Sequence, residues 1–168
     1  MGKSLLIVGA GSFATEVEEM ARLLGYTDIG FLDDCAEKAC CKPVVGSLSD
    51  IEAQKGRYEN AIVAFGNNQM RLSFTKKVQN AGYTIPYLVH PTAYVSPDAN
   101  LSEGCIVRAM AVVGRYVTLE RACIVNVGGL IDHHCTLGEG THVLMGAVVR
   151  NKVCVPPETW IASNQVFE

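Results

Sequence analysis

The apolar positions of this chain follow two different rhythms. Up to about residue 89, short apolar runs alternate with helical spacing. Leu5-Leu-Ile-Val8 is a continuous apolar run, the mark of a strand buried on both faces of a parallel sheet. After the Gly9–Ala14 loop, Val17, Met20, Ala21 and Leu24 fall on one face of a helix predicted over 15–24, which Gly25 stops. Further strands are predicted over 28–33, 60–65 and 85–89, with a second helix over 69–81 closed by Gly82. Strands alternating with helices in this way predict a small parallel α/β sheet.

From residue 95 the period becomes six. Val95, Leu101, Val107, Val113, Leu119, Val125, Ile131, Leu137, Val143, Val149, Val155 and Ile161 occupy every sixth position. The residues two places before each are mostly small: Ala93, Ala99, Cys105, Ala111, Cys123, Gly129, Cys135 and Ala147 among them. Neither a helix nor a simple strand sustains that period. It is the signature of a hexapeptide β-helix, in which three hexapeptides close one triangular coil of about 18 residues. The aliphatic residue fills the coil, and stacked coils share one core. Four coils are expected, in a β-helix unit spanning 90–168 that follows an α/β unit spanning 1–89.

Composition narrows the function classes. The chain of 168 residues is 49% hydrophobic and 18% charged, which argues against a disordered segment. A net charge of −3 gives no basic footprint for nucleic acid. No apolar run approaches a membrane span, and the amino end has neither a signal peptide's cleavage region nor the pattern that would favour lipidation of Gly2. Seven cysteines without an export signal suit a reducing cytoplasm better than a disulfide framework. Cys35, Cys40 and Cys41 lack a nearby histidine and paired spacing, so no metal is expected.

Candidate chemistry in the first half gathers at turns. Gly9-Ala-Gly-Ser-Phe-Ala14 follows a strand and opens a helix, where Gly11 and Ser12 would let a phosphate approach the helix N-terminus. Asp33 and Asp34 end the next strand, within reach of a ribose or base. Gly66, Asn67 and Asn68 end a third strand at the same carboxyl edge, where open α/β sheets bind ligands. The unit is too short for a full dinucleotide fold, so a nucleotide-sugar fits better than NAD.

Taken together, Ile7–Ala14, Phe31-Leu-Asp-Asp34, Gly66-Asn-Asn68 with Arg71, His90-Pro91 and above all Asn126–His142 resemble the hexapeptide-repeat sugar acetyltransferases of the NeuD/PglD type. The resemblance covers nearly the whole chain. It implies a nucleotide-sugar-binding α/β domain followed by a left-handed β-helix. It also implies homotrimers with active sites between neighbouring β-helices, and transfer of an acetyl group from acetyl-coenzyme A to an amino or hydroxyl group of a sugar, often a UDP-linked 4-amino sugar. His133 matches the family's catalytic histidine, a base suited to taking a proton near neutral pH. His142, nine residues on, matches a residue near the thioester oxygen, where a donor would stabilise an oxyanion. Asn126 and Gly146 join His142 in the implied acetyl-coenzyme A site.

The chain departs from the family in two places. Relatives usually carry Asp or Glu directly after the catalytic histidine; here it is His134, which cannot supply a negative charge, and Asp132 is the alternative carboxylate. Relatives also continue for about two more coils, and Pro156-Pro157 interrupts the repeat. Two other functions therefore stand beside the acetyltransferase: a trimeric nucleotide-sugar-binding protein without catalysis, and a small NAD-binding regulator.

Overall fold

The computed structural model describes residues 3–168; Gly2, weighed above as a lipidation position, lies outside them. The chain divides into two compact units, Met1–Pro86 and Tyr87–Glu168.

The first unit holds a parallel sheet in the order β3-β2-β1-β4, with β1 Lys3–Val8, β2 Tyr26–Leu32, β3 Val44–Gly46 and β4 Asn60–Val63. Leu5, Leu6, Ile7 and Val8 are all fully buried, as a strand covered on both faces requires. Helix α1 (Ser12–Leu23) buries Ala14, Val17, Met20 and Ala21, and helix α2 (Asn68–Asn80) buries Leu72, Thr75 and Val78. One side of the core joins Leu6, Val8 and Leu32 to Ile51, Tyr58, Val63 and Val78.

Two expectations are corrected here. The fourth strand of this sheet is β3, not 85–89. With only three residues after Pro43, β3 is too short to show a period. Leu88–Val89 instead pairs in parallel with Ile106–Val107 and belongs to the second unit. The six-residue rhythm already includes Val89, six before Val95, so the apolar run 85–89 straddles a boundary.

The second unit is the expected left-handed parallel β-helix. Its two-residue strands stack into one four-stranded and two five-stranded parallel sheets. Face one stacks Asn100–Leu101, Thr118–Leu119, Thr136–Leu137 and Cys154–Val155. Face two stacks Leu88–Val89, Ile106–Val107, Ile124–Val125, His142–Val143 and Trp160–Ile161. Face three stacks Tyr94–Val95, Val112–Val113, Leu130–Ile131, Val148–Val149 and Val166–Phe167. The second residue of each strand points inward, and from Val107 to Ile161 these form one buried core.

The small inward positions have a polar task as well. Cys105, Cys123 and Cys135 donate from Sγ to the carbonyls of Glu120 (3.1 Å), Gly138 (3.3 Å) and Arg150 (2.9 Å), each fifteen residues on. Thr141 Oγ1 does the same to Pro156 O at 3.1 Å. Burial pushes the Cys135 thiol pKa up. These thiols act as structural donors inside the coil.

Each turn repeats one backbone device. From Gly104 to Asn164 every sixth residue has φ between +56° and +73°, the left-handed region, although only Gly104, Gly128, Gly140 and Gly146 are glycines. Met110, Tyr116, Ala122, His134, Lys152, Glu158 and Asn164 adopt it without that freedom. No helix among the described residues is long and apolar enough to cross a membrane.

Candidate functional site

In the α/β unit, the turns singled out from sequence meet at the carboxyl edge. Strand β1 connects through α1 to β2 on one side and pairs with β4 on the other, so the ends of β1 and β4 form the switch point at which such sheets bind ligands. Gly9, at φ +102°, is wedged there: a Cβ would stand 2.7 Å from the Phe65 ring. Gly11 is unconstrained, with nothing within 4 Å of a Cβ. It precedes α1, which has no side-chain cap, and Ser12 is the exposed first helical residue. The first turn of the helix carries partial positive charge and suits an anion. The expected helix start at Thr15 is thus corrected to Ser12, because Gly11 alone breaks the turn.

The two acidic residues are tied into the loops. Asp33 accepts from the backbone N–H of Ala10 and of Cys35, each at 2.8 Å. Asp34 accepts from the N–H of Leu48 at 2.9 Å. Asp33 therefore fastens the glycine loop to the end of β2. Each carboxylate keeps further lone pairs, but its first task is to hold the loop.

On the β4 side, Asn67 caps α2 by accepting from the Met70 N–H at 2.9 Å. Arg71, fully buried, donates to the carbonyls of Phe65 (3.0 Å) and Gly66 (3.1 Å) and to Asn68 Oδ1 (3.0 Å). Arg71 braces the Gly66 turn from beneath, and only exposed Asn67 and half-buried Gly66 face outward. The guanidinium's role shows only in the fold. Cys35 and Cys40 are exposed and Cys41 is buried, with burial pushing its thiol pKa up to about 11. Among the described residues no cluster of metal-ligating side chains occurs.

In the β-helix the chosen residues form two groups at different corners. Asn126 and Gly146 occupy turns between faces two and three, and His142 projects from face two beside them. Asn126 Oδ1 accepts from Arg108 Nη1 (2.7 Å) and from the Val127 N–H (2.8 Å), and its Nδ2 lies 3.3 Å from His142 Nε2. An amide nitrogen only donates, so a neutral His142 carries its proton on Nδ1. Trp160, one coil on, packs edgewise on His142 at 4.9 Å between ring centroids. At Gly146 (φ +67°) a Cβ would meet Asn164 Oδ1 at 2.5 Å, so a side chain there would displace Asn164.

His133 lies at the other end of face three, in the turn leading to face one. Its backbone N–H donates to Asp132 Oδ1 at 2.7 Å, so Asp132 caps its own turn. Its Nδ1 stands 2.9 Å from His134 Nδ1, with the rings nearly perpendicular. Gly114, one coil earlier, lies directly beneath: a Cβ there would approach Ile131 O at 2.9 Å and His133 N at 3.1 Å. Sequence reasoning missed Gly114, whose place eighteen residues before Asp132 is the only available signal.

A model of the PglD N-terminal domain matches residues 4–78. The acetyltransferase domain of PglB from Neisseria gonorrhoeae FA1090 is 30% identical over 99% of this chain and 91% of that one, with a TM-score of 0.86. This chain belongs to the PglD-type hexapeptide sugar acetyltransferases. The same PglB domain in complex with acetyl coenzyme A matches at 27% identity, covering 98% of each chain, with a TM-score of 0.84. A histidine-to-asparagine variant of the perosamine N-acetyltransferase from Caulobacter crescentus, in complex with CoA and GDP-perosamine, matches at 25% identity and TM-score 0.85, covering 98% of this chain and 88% of that one. These coverages leave less room than the two-coil deficit expected from the sequence.

Proposed function

We propose that this family member transfers the acetyl group of acetyl-coenzyme A to an amino or hydroxyl group of a nucleotide-linked sugar. The observation carrying this reading is the likeness to the PglB acetyltransferase domain over nearly the whole chain, with His133 kept in the exposed turn. The acceptor nitrogen or oxygen attacks the thioester carbonyl carbon while His133 Nε2 takes its proton. The C–S bond then breaks, and the imidazolium returns the proton to the departing thiolate. The corner formed by Asn126, His142 and Gly146 receives the acetyl end of the coenzyme, with Asn126 holding the His142 ring through Nε2. Losing a positioned base removes about 10² to 10⁴ in rate.

The nucleotide binds the α/β unit, with its phosphates at Gly11 and Ser12, ribose or base near Asp33 and Asp34, and the Gly66-Asn67-Asn68 turn closing the site. The sequence resemblance favours uridine, while the Caulobacter enzyme was captured with a guanosine nucleotide.

The two corners support a homotrimer. His133 and the Asn126–His142 group flank face three from opposite ends within one chain. The outward residues of that face are apolar and open: Tyr94 59%, Leu130 38% and Val166 53% exposed, with Val112 and Val148 half-buried. Face one presents Asn100, Thr118, Thr136 and Cys154 instead. Packing face three against a neighbour brings His133 of one chain towards the coenzyme corner of the next, and closed symmetry is the norm for such assemblies.

The test is release of coenzyme A thiol when the protein meets acetyl-coenzyme A and UDP- or GDP-linked amino sugars. Thiol release that depends on the amino sugar supports the reading. Saturable nucleotide-sugar binding with neither coenzyme A binding nor transfer would replace it with the binding-only function.

A further inference from the structure

His134 stands where relatives keep a carboxylate, and the structure shows what it does there. Its Nδ1 lies 2.9 Å from His133 Nδ1. Two ring nitrogens approach that closely as a hydrogen bond when one carries the proton and the other offers its lone pair. The arrangement is held from both sides. The His134 N–H donates to Arg115 O at 2.9 Å in the coil before, and the Lys152 N–H donates to His133 O at 3.0 Å in the coil after. The left-handed turn at φ +61° sets the direction of the His134 side chain, and the Tyr116 ring packs on it at 4.8 Å.

We propose that neutral His134 is the positioning residue of the base, accepting the Nδ1–H of His133 and so reserving His133 Nε2 for the acceptor's proton. This rests on the reading of His133 as the base. When Nε2 takes the proton, His133 becomes an imidazolium and the Nδ1–H···Nδ1 bond becomes charge-assisted and stronger. The proton stays on His133 until the leaving thiolate takes it, and nothing passes to His134. An imidazole thus orients the His133 ring without supplying a negative charge.

The surrounding charges act on the pair as follows. Arg115 stacks on Tyr116 at 4.8 Å and is held by Asp98 at 2.6 Å. Asp132 is engaged by the His133 backbone, and Arg150 pairs with Glu168 at 2.8 Å. Lys152 holds the turn position equivalent to His134 one coil on.

The test combines variants with ring nitrogen spectroscopy. Alanine already occupies the same turn position at Ala122, so His134→Ala suits the backbone; His134→Phe keeps the packing on Tyr116 without an acceptor. Both should lower kcat at least about tenfold with KM for acetyl-coenzyme A little changed; loss of the orienting acid costs a serine-protease triad about 10⁴. His134→Asp should restore kcat to wild type or above and move the acid limb of kcat/KM to higher pH, because a carboxylate holds the imidazolium proton more tightly. Nitrogen-15 shifts of His133, which need no acceptor sugar, should place the proton on Nδ1 in the wild type and lose that preference in His134→Phe. Unchanged kcat in His134→Phe, or a proton on Nε2 in the wild type, overturns the proposal. Unchanged turnover in His133→Ala would instead overturn the base.

Discussion

Gly9 and Gly11 stand two residues apart and answer to different constraints. Gly9 is demanded by the fold, through a positive φ and the Phe65 ring. Gly9→Ala should destabilise the protein by more than about 1 kcal/mol, the ordinary cost of a side chain in that region, measured by urea unfolding. Gly11 has an ordinary φ of −76° and open space beside it. Gly11→Leu should leave the melting temperature nearly unchanged while abolishing binding of UDP and GDP in calorimetry. Retained nucleotide binding would move the phosphate site elsewhere. His133→Ala should cut acetyl transfer about 10² to 10⁴-fold and leave nucleotide affinity intact, since His133 and the glycine loop belong to different units. An equal loss of both would mean the variant acts through unfolding.

At the scale of the element, the hexapeptide turn is the unit that stores cost. Lys152 is exposed and held at φ +62°. Lys152→Gly should stabilise the β-helix by up to about 1 kcal/mol, because the left-handed conformation disfavours any side chain. No rise in the urea midpoint would show that stacking along the turn column offsets the backbone cost. Inside the coil the opposite holds. Leu137 is fully buried in the shared core, and Leu137→Ala should cost about 2 to 5 kcal/mol. The period of six was legible because coil geometry forces one aliphatic residue inward at each strand. The left-handed turn position was not, because seven different residue types fill it alongside glycine. Strand β3 was missed because three residues carry no period, and Leu88–Val89 was put in the wrong sheet because the apolar run 85–89 crosses the boundary between the two units.

For the whole molecule, the proposed site divides His133 from Asn126, His142 and Gly146 across face three, so on that reading activity depends on assembly. Leu130→Asp places a charge at the centre of the exposed apolar face. It should yield monomers in light scattering and lose acetyl transfer, while nucleotide binding survives. A wild type that is monomeric at working concentrations and still active would remove the shared site altogether. Charge and hydropathy, properties that need no coordinates, argued at this scale against a disordered segment, nucleic-acid binding and a helical membrane span.

The sequence alone determined the two architectures and their order, since buried strands, helical faces and a six-residue coil each impose a period on apolar positions. It also singled out the histidines and glycines, because their chemistry and spacing are local. Tertiary structure decided which of them share a corner, for eighteen residues of chain return to nearly the same place only when the coil closes. It assigned Asp33 and Asn67 to holding loops, found Arg71 beneath the Gly66 turn and Gly114 beneath His133, and set His134 against His133. Those roles depend on direction as well as spacing, and direction is fixed only by the packed backbone.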